Sequence, residues 1–249
     1  MNYSFQLYSA RNATPWQQVY KKIAALGYSQ VEGFGGVYEN ASETRGLLDS
    51  CELTMPSAHF AIDDLENDIQ SVFSTASTLG CTHLFCPYII EDQRPTDASG
   101  WHVLGKRLSE IGKQVNDKGF SFGWHNHDFE FTTCRDGSVP MRILLETATD
   151  IGWEMDVAWI ARAGSDPSPW IKEFGPRVNA IHVKDIAAEG QNIDEDGWAD
   201  VGHGILEWKS LFNQISAQTS ATLFIAEHDN PNDLERFASS SIQSLKSFT

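Results

Sequence analysis

The sequence predicts a single (β/α)8 barrel that spans residues 1–249 as one domain, and three observations support this prediction. The chain has 249 residues, close to the roughly 250 that are typical of this fold. Short apolar runs alternate with helical patterns about every 30 residues, which is typical of a parallel α/β fold. No glycine-rich phosphate loop follows the first run, so the pattern does not favour an open dinucleotide-binding sheet.

Each predicted strand is a short run rich in apolar residues, as expected for parallel strands that are buried on both faces. The runs cover residues 3–8, 30–34, 54–61, 82–86, 120–125, 152–156, 179–184 and 222–227. Eight strand–helix units favour a closed barrel over a doubly wound sheet.

The predicted helices follow these strands and carry start and stop signals. Thr14 and Pro15 are expected to be the N-cap and first residue of the first helix, and Gly27 to end it. Helices are expected at residues 14–26, 41–51, 64–79, 100–118, 140–149, 169–174, from 206 onward, and 231–246. The loops 34–40 and 186–204 are expected to lie over a functional site.

The composition indicates a large core in a cytoplasmic protein. Hydrophobic residues make up 41% of the chain and aromatic residues 11%, which argues against disorder. No apolar stretch reaches the roughly 18–20 residues that cross a bilayer. The first residues lack the basic and apolar regions of a secretory signal. The four cysteines are scattered, as is typical of reduced thiols in the cytoplasm.

The charge balance excludes some classes of partner. Acidic residues number 34 and basic residues 18, for a net charge of −16. Such a surface repels phosphate backbones and anionic membranes, so we expect neither nucleic acid nor membrane as a partner. A neutral small-molecule substrate is favoured.

Four of the predicted strands end in a residue that can bind a metal. The runs FSFGWHNH, GWEMD, NAIHVK and TLFIAE close on His125 (or His127), Asp156, His182 and Glu227. Ligands at the C-terminal ends of successive parallel strands converge above a barrel. Nitrogen and carboxylate ligands in this mix suit one Zn²⁺, Mn²⁺, Co²⁺ or Fe²⁺ ion rather than Ca²⁺.

Each of these residues also has a plainer interpretation. His125 and His127 share a face only if the strand continues through Asn126. Asp156 would alternatively cap a helix or lie at the surface, and His182 would alternatively be a satisfied core histidine. Glu154 is expected on the same face as Asp156 but deeper, as a partner of a ligand or in a buried ion pair. Lys184 and Asp185 follow His182 and strengthen its assignment to a site.

Other residues are expected to surround the metal. Glu32 and His59 end the second and third predicted strands and would complete the rim. Several aromatic residues are candidates to stack on a sugar face, namely Trp16, Phe34, Trp124, Trp159 and Trp198.

A set of short motifs carries a family resemblance over essentially the whole chain. In order, the motifs are GYSQVEGF, SAHF, WHNHDFEF, MDVAWIARAGSDP, VNAIHVKD, VGHGILEW and IAEHD. Because these motifs occur in this order and spacing, the chain resembles the xylose isomerase-like TIM-barrel superfamily of sugar phosphate isomerases and epimerases. The resemblance implies a divalent metal held by Asp156, His182 and Glu227. The first ligand of the family is commonly a glutamate, and His125 stands in its place here.

The resemblance implies a metal-dependent sugar isomerase or epimerase that abstracts a proton next to a carbonyl and passes through an enediolate. Glu227 or His125 would be the base, and Glu130 would supply the missing carboxylate if His125 does not replace it. Lys184 is a further candidate catalytic residue. The expected substrate contacts are Glu32, His59, His127, Glu130, Trp159, Asp185 and His203.

Three alternatives stay open beside this expectation. The same enediolate serves a lyase or dehydratase acting on a keto-sugar or keto-glycoside. An apurinic endonuclease would need a basic surface, which the charge balance argues against. A non-catalytic sugar-binding barrel would need no metal. Barrels of this family are often dimers or tetramers, so the resemblance also allows a homo-oligomer.

Overall fold

In the computed structural model, which describes residues 2–248, eight parallel strands close into one barrel. The strands are Ser4–Gln6, Gln30–Gly33, Thr54–His59, His83–Cys86, Ser121–His125, Gly152–Asp156, Val178–Val183 and Leu223–Ala226. Each strand pairs with the next along the chain, and the first pairs with the eighth, so the barrel has no open edge. The predicted (β/α)8 barrel is confirmed.

Helices surround the barrel and bury one apolar face against it. They are Trp16–Leu26, Ala41–Asp49, Ile62–Asn67, Ile69–Leu79, Ala98–Asp117, Pro140–Thr147, Val157–Arg162, Pro167–Phe174, Trp208–Gln218 and Leu234–Phe248. The first of them buries Val19, Tyr20 and Ile23, whose spacing puts them on one helical face. Among the helices of residues 2–248, none combines the length and apolarity that a membrane crossing requires.

Three helix predictions need correction. Pro15 occupies the N-cap position and Trp16 is the first helical residue, whereas Thr14 and Pro15 were the expected cap and first residue. The predicted helix 64–79 is two helices, because Asp68 leaves the helical conformation and its side chain accepts a hydrogen bond from Ser71 N. The short helix Val157–Arg162 was missed, since it follows the sixth strand without any intervening loop.

The side chains inside the barrel change from apolar to polar along the barrel axis. Its lower part is filled by a small apolar cluster of Phe85, Ala180, Leu223 and Ile225. Gly123 leaves the space for this filling, because a Cβ there would lie only 2.9 Å from the Phe85 ring. Nearer the C-terminal ends of the strands the buried side chains become polar, and they include Gln6, Glu32, Glu154, Asp156 and His182. This end of the barrel therefore has the chemistry of a site.

The loop after the seventh strand is folded back on itself. Asp185–Ile186 and Trp198–Ala199 form a two-stranded antiparallel sheet. The Asp185 carboxylate accepts hydrogen bonds from four backbone N–H groups, those of Ile186, Gly202, Gly204 and Leu206. One side chain thereby fixes both ends of the predicted loop 186–204.

Candidate metal centre

The four side chains predicted to bind a metal lie together at the C-terminal end of the barrel. His125, Asp156, His182 and Glu227 each offer a ligand atom, and these atoms all lie within 4.8 Å of one another. All four residues are buried. They come from the ends of the fifth, sixth, seventh and eighth strands, whose parallel pairing brings them to one point.

Asp156 uses its two carboxylate oxygens differently. Oδ1 accepts a hydrogen bond of 2.8 Å from Trp159 N and so caps the helix Val157–Arg162. Oδ2 is buried and has no hydrogen-bond partner. Lys184 Nζ forms an ion pair with Oδ2 at 4.0 Å, beyond hydrogen-bond distance, so this oxygen keeps the capacity to bind a second cation. The helix-cap and the metal-ligand interpretations of Asp156 are therefore compatible.

His182 is held by a carboxylate at each ring nitrogen. Its Nδ1 lies 2.9 Å from Glu227 Oε2, and its Nε2 lies 2.7 Å from Glu32 Oε1. Glu32 Oε1 also accepts a 2.8 Å hydrogen bond from Gln6 Nε2. This arrangement fixes the plane of the imidazole, as carboxylate partners do for metal-binding histidines.

Glu154 lies at the centre of a deeper network. Its Oε2 is 2.6 Å from His59 Nε2, 3.1 Å from His125 Nδ1 and 3.3 Å from His182 Nε2. These four residues form a second group that could hold an ion. His59 and His125 of this inner group line the open cavity, as His125 and Glu227 of the outer group do, but only the outer group has a carboxylate at the cavity surface, that of Glu227. For this reason we assign the metal to the outer group and an orienting role to Glu154.

The charges of this network follow from burial and pairing. Burial works against charge on Glu32, but His59 and His182 outweigh it and hold the pKa of Glu32 well below its usual value. Burial also disfavours charge on His59, but Glu32 and Glu154 raise the pKa of His59 to about 10. Burial together with His182 holds the pKa of His125 well below its usual value. The His125 imidazole is therefore neutral, the form that coordinates a metal.

Lys184 is fully buried beside the site, where acidic and aromatic side chains surround it. Its Nζ lies 2.6 Å from Asp229 Oδ2 and 3.5 Å from Glu227 Oε2. It also sits over the ring of Trp198, 4.1 Å from the centroid. Burial would lower the pKa of Lys184, but Asp229 and Glu227 outweigh it and hold that pKa above its usual value. Lys184 is a buried cation that fixes the position of Glu227.

A cavity of about 830 Å³ opens above the cluster. His125 and Glu227 lie at its surface, and so do three of the predicted substrate contacts, His59, His127 and Trp159. Tyr38 positions His59 by donating a 2.9 Å hydrogen bond to its carbonyl oxygen.

Four other predicted substrate contacts do not line this cavity. Glu130 is buried and accepts hydrogen bonds from Trp124 Nε1 and His127 N, each of 2.9 Å. Asp185 binds the backbone of its own loop, and His203 is exposed. Glu32 lies beneath His182 and His59. In the structure Glu130 and Asp185 accept hydrogen bonds from neighbouring N–H groups, and Glu130 belongs to neither of the two groups that could hold an ion.

The aromatic candidates divide in the same way. Phe34 and Trp159 line the cavity, whereas Trp16, Trp124 and Trp198 do not. Trp124 and Trp198 are almost fully buried.

Sequence reasoning missed several residues of the site. Tyr8, Tyr88, Arg94 and Asp229 line the cavity. Tyr8 ends the first predicted strand, and Tyr88 and Asp229 closely follow the fourth and the eighth, so their position was the available signal. Arg94 lies further along the loop after the fourth strand and had no such signal. Asn126 was considered only as a spacer between two histidines. Its side-chain oxygen accepts hydrogen bonds from Trp153 Nε1 and Asp156 N, and so joins the fifth and sixth strands.

The outer group has the features that a divalent metal requires. It combines two imidazoles and two carboxylates, which suits Zn²⁺, Mn²⁺, Co²⁺ or Fe²⁺. Asp156 Oδ2, which accepts no hydrogen bond, and the carboxylates that orient His182 and His125 complete the arrangement.

Comparison with known families gives one match over most of the chain. A family model described as xylose isomerase-like TIM barrel matches residues 20–248. A curated relative, inosose dehydratase of Bacillus thuringiensis strain Al Hakam, is 21% identical over 141 residues, which cover 51% of this chain and 46% of that protein. The match therefore spans about half the length of this relative.

Solved structures share the fold over almost the whole chain. A sugar phosphate isomerase/epimerase from Parabacteroides distasonis has a TM-score of 0.82 at 16% identity and covers 99% of this chain and 93% of its own. A probable 3-DHS dehydratase from Bacillus anthracis has a TM-score of 0.78 at 14% identity, with 99% of both chains covered. The IOLI protein with a bound zinc atom has a TM-score of 0.77 at 14% identity, with 100% and 96% covered.

Proposed function

The chain belongs to the xylose isomerase-like TIM barrel family, and from this premise we propose that it is a divalent-metal-dependent lyase that eliminates water or another β-substituent from a keto-sugar or keto-glycoside. One observation carries the choice of elimination over epimerisation, and the relatives described below carry the choice over isomerisation. Of the two carboxylates in the ligand group, Glu227 alone lines the cavity, and the fifth strand presents His125 at its end. A single carboxylate base suffices for elimination, whereas inversion at carbon needs a group on each face.

His125, Asp156, His182 and Glu227 would hold the metal. When bound, a divalent ion supplies Lewis-acid polarisation of the substrate carbonyl. Glu227 takes the proton from the carbon next to that carbonyl, and general bases of this kind contribute about 10²–10⁴-fold. The β-hydroxyl departs with its bonding electrons and takes the proton that Glu227 removed, so that water and an unsaturated ketone are the products and Glu227 is again a carboxylate. Lys184 keeps Glu227 in place, at 3.5 Å.

The relatives support this choice. Inosose dehydratase and the probable 3-DHS dehydratase are both described as enzymes that remove water. The bound zinc of the IOLI protein supports a metal in the same fold.

Isomerisation or epimerisation is the second candidate. Isomerisation needs only one base, and His127 favours epimerisation. The His127 ring lines the cavity, and its buried Nδ1 has no hydrogen-bond partner. It would give the site a second group able to carry a proton, beside Glu227.

The test combines metal content with product analysis. We expect about one transition-metal ion per chain by elemental analysis, lost in His182→Ala and kept in His102→Ala, a matched change at an exposed histidine that bonds Thr147. Metal-loaded protein incubated with keto-sugars in D₂O should give an unsaturated ketone by NMR. Carbon-bound deuterium in a product of unchanged composition would favour isomerisation instead. Wild-type protein that takes up no Mn²⁺, Co²⁺ or Zn²⁺ would contradict both candidates.

A further inference from the structure

The cavity is larger than one sugar ring requires. Its volume is about 830 Å³, in the upper part of the roughly 300–1,000 Å³ range of pockets that enclose drug-sized ligands. The metal-binding residues occupy only its floor. The remaining space is bounded by two aromatic walls, which come chiefly from the loops after the first four strands.

The first wall consists of Tyr8, Phe34, Tyr38 and Phe60. Tyr8 meets Phe34 edge to face, with ring centroids 5.5 Å apart. Tyr38 stacks on Phe60 at 4.8 Å. All four residues line the cavity. Because the rings brace one another, this wall offers preformed aromatic surface.

The second wall consists of Tyr88, Phe129 and Arg94. Tyr88 meets Phe129 edge to face at 5.9 Å. The Arg94 guanidinium lies 3.9 Å from the Phe129 ring centroid and donates a hydrogen bond to the Tyr88 hydroxyl. Phe129 also stacks on His127, which connects this wall to the metal end of the cavity.

The walls leave apolar surface open to solvent at the cavity mouth. Tyr8 is 38% exposed, Tyr88 40% and Ile90 54%, and all three line the cavity. Elsewhere in residues 2–248, the large apolar side chains with comparable exposure are Val103, Ile193 and Ile205. Exposed aromatic surface concentrated at one mouth indicates a binding function.

The charges at the mouth argue against a phosphate group in this space. Arg11 donates to the carbonyl oxygens of Tyr8 and Asp229 and lies over the Tyr8 ring. Arg94 is occupied in the second wall and also donates to Ile89 O. Besides Glu227, five aspartates line the same cavity, namely Asp63, Asp64, Asp128, Asp196 and Asp229. A neutral group fits this balance better than an anion.

We propose that the space between the two walls is a second subsite, and that the substrate is a two-ring glycoside rather than a free or phosphorylated monosaccharide. The sugar that reacts would lie at the metal, an assignment that rests on the proposed function. The linked ring would lie between the walls. An aryl ring and the apolar face of a second sugar both stack on aromatic side chains.

Binding of unreactive ligands tests this subsite without turnover. Calorimetry would compare glucose, glucose 6-phosphate, cellobiose and p-nitrophenyl β-glucoside on the metal-loaded protein. We expect at least one two-ring ligand to bind about tenfold more tightly than glucose, and glucose 6-phosphate no more tightly than glucose. If p-nitrophenyl β-glucoside binds more tightly than cellobiose, the linked ring is aryl, and if cellobiose binds more tightly, it is a sugar.

Variants of one tyrosine from each wall locate the effect. Tyr8→Ala and Tyr88→Ala should abolish most of the two-ring preference. We expect the preference to be retained in Tyr8→Phe and Tyr88→Phe. It should also be retained in the control Val103→Ala, which lies on the exposed face of the helix Ala98–Asp117. Melting temperature and metal content should stay unchanged, since both tyrosines are partly exposed.

Equal affinity for one-ring and two-ring ligands, or a preference that survives Tyr8→Ala and Tyr88→Ala, would overturn the subsite. Those results would leave the proposed function standing if keto-sugars still reacted. A two-ring preference in a protein that binds no metal would overturn the proposed function alone.

Discussion

At the scale of single residues, Asp156 combines a structural role with a proposed metal-binding role. One oxygen serves the backbone as a helix cap, and the other is buried, accepts no hydrogen bond and lies 4.0 Å from Lys184 Nζ. The two roles can be separated by substitution, because asparagine caps helices about as well as aspartate but carries no charge.

We therefore expect Asp156→Asn to fold normally and to lose its metal. The affinity should fall by about 100-fold or more, since even the outer partners of ligands are worth 10–100-fold. Elemental analysis after dialysis would measure the loss. Asp97→Asn is the matched control, because Asp97 caps the helix Ala98–Asp117 through Gly100 N at an exposed site. Full metal content in Asp156→Asn would remove Asp156 from the ligand set.

Glu130 gives a prediction about stability and pH. Burial raises the pKa of Glu130 to about 8, from a usual value of 4.5. Between pH 4.5 and 8 the Glu130 carboxyl is ionised in the unfolded chain but still protonated in the folded protein. The free energy of unfolding of the wild type therefore falls as the pH rises from 4.5 toward 8. The side chain of Glu130→Gln does not titrate. Its NH2 group must face one of the two N–H donors, those of Trp124 and His127, and it cannot accept a hydrogen bond from that donor.

In metal-free buffer, Glu130→Gln should be less stable than wild type at pH 5 by about 1–3 kcal/mol, the cost of one unsatisfied donor. The difference should shrink by pH 8. Urea unfolding at both pH values measures it. A difference that stays constant, or widens toward pH 8, would contradict the raised pKa.

Residue types and strand ends were enough to predict that these four residues lie together, but not the contacts of their neighbours. His125, Asp156, His182 and Glu227 each end an apolar run, and the parallel barrel then brings them together. Glu130 lies equally close to a strand end, yet Trp124 and His127 occupy both of its oxygens. Such pairing depends on side-chain direction after the strand has ended, which the sequence pattern does not encode.

At the scale of elements, the strands were easier to predict than the helices. A buried strand must be apolar, so the run Gly152–Asp156 was predicted with its observed bounds. The break at Asp68 depends on one side-chain hydrogen bond to Ser71 N. A local competition of that kind leaves the helical pattern of the sequence intact on both sides.

The loop after the seventh strand depends on Asp185 as its anchor. Asp185→Ala should leave four backbone N–H groups without an acceptor and lower the free energy of unfolding by about 1–3 kcal/mol or more. We expect limited proteolysis to cut within residues 187–205 much faster than in wild type. Glu189→Ala, an exposed change in the same loop, should leave the cleavage rate unchanged. Unchanged cleavage in Asp185→Ala would mean that the two-stranded sheet holds the loop by itself.

At the scale of the whole molecule, a bound metal would join four strands that are distant in the sequence, from His125 to Glu227. A metal ion that binds the folded state and not the unfolded chain would raise the free energy of unfolding by mass action. This effect would be global, because the ligands span half of the barrel.

Adding metal at about 100 times its Kd should stabilise the fold by about 2.7 kcal/mol. For a chain of 249 residues, that corresponds to a rise of about 5–10 °C in Tm, at roughly 2–4 °C per kcal/mol. Differential scanning calorimetry with and without a chelator measures the shift. The Asp156→Asn variant should show none, and an equal rise in that variant would mean that the metal binds elsewhere.

The candidate metal ligands and most of the aromatic walls occupy different halves of the barrel. The four candidate ligands lie at the ends of the last four strands, whereas Tyr8, Phe34, Phe60 and Tyr88 follow the first four and only Phe129 of the walls follows the fifth. Mutations that accumulate in the early loops can therefore alter what is recognised while the reactive end is inherited unchanged. Directed evolution confined to those loops, or exchange of the loops between relatives, should therefore change the substrate with few substitutions and without altering the metal end.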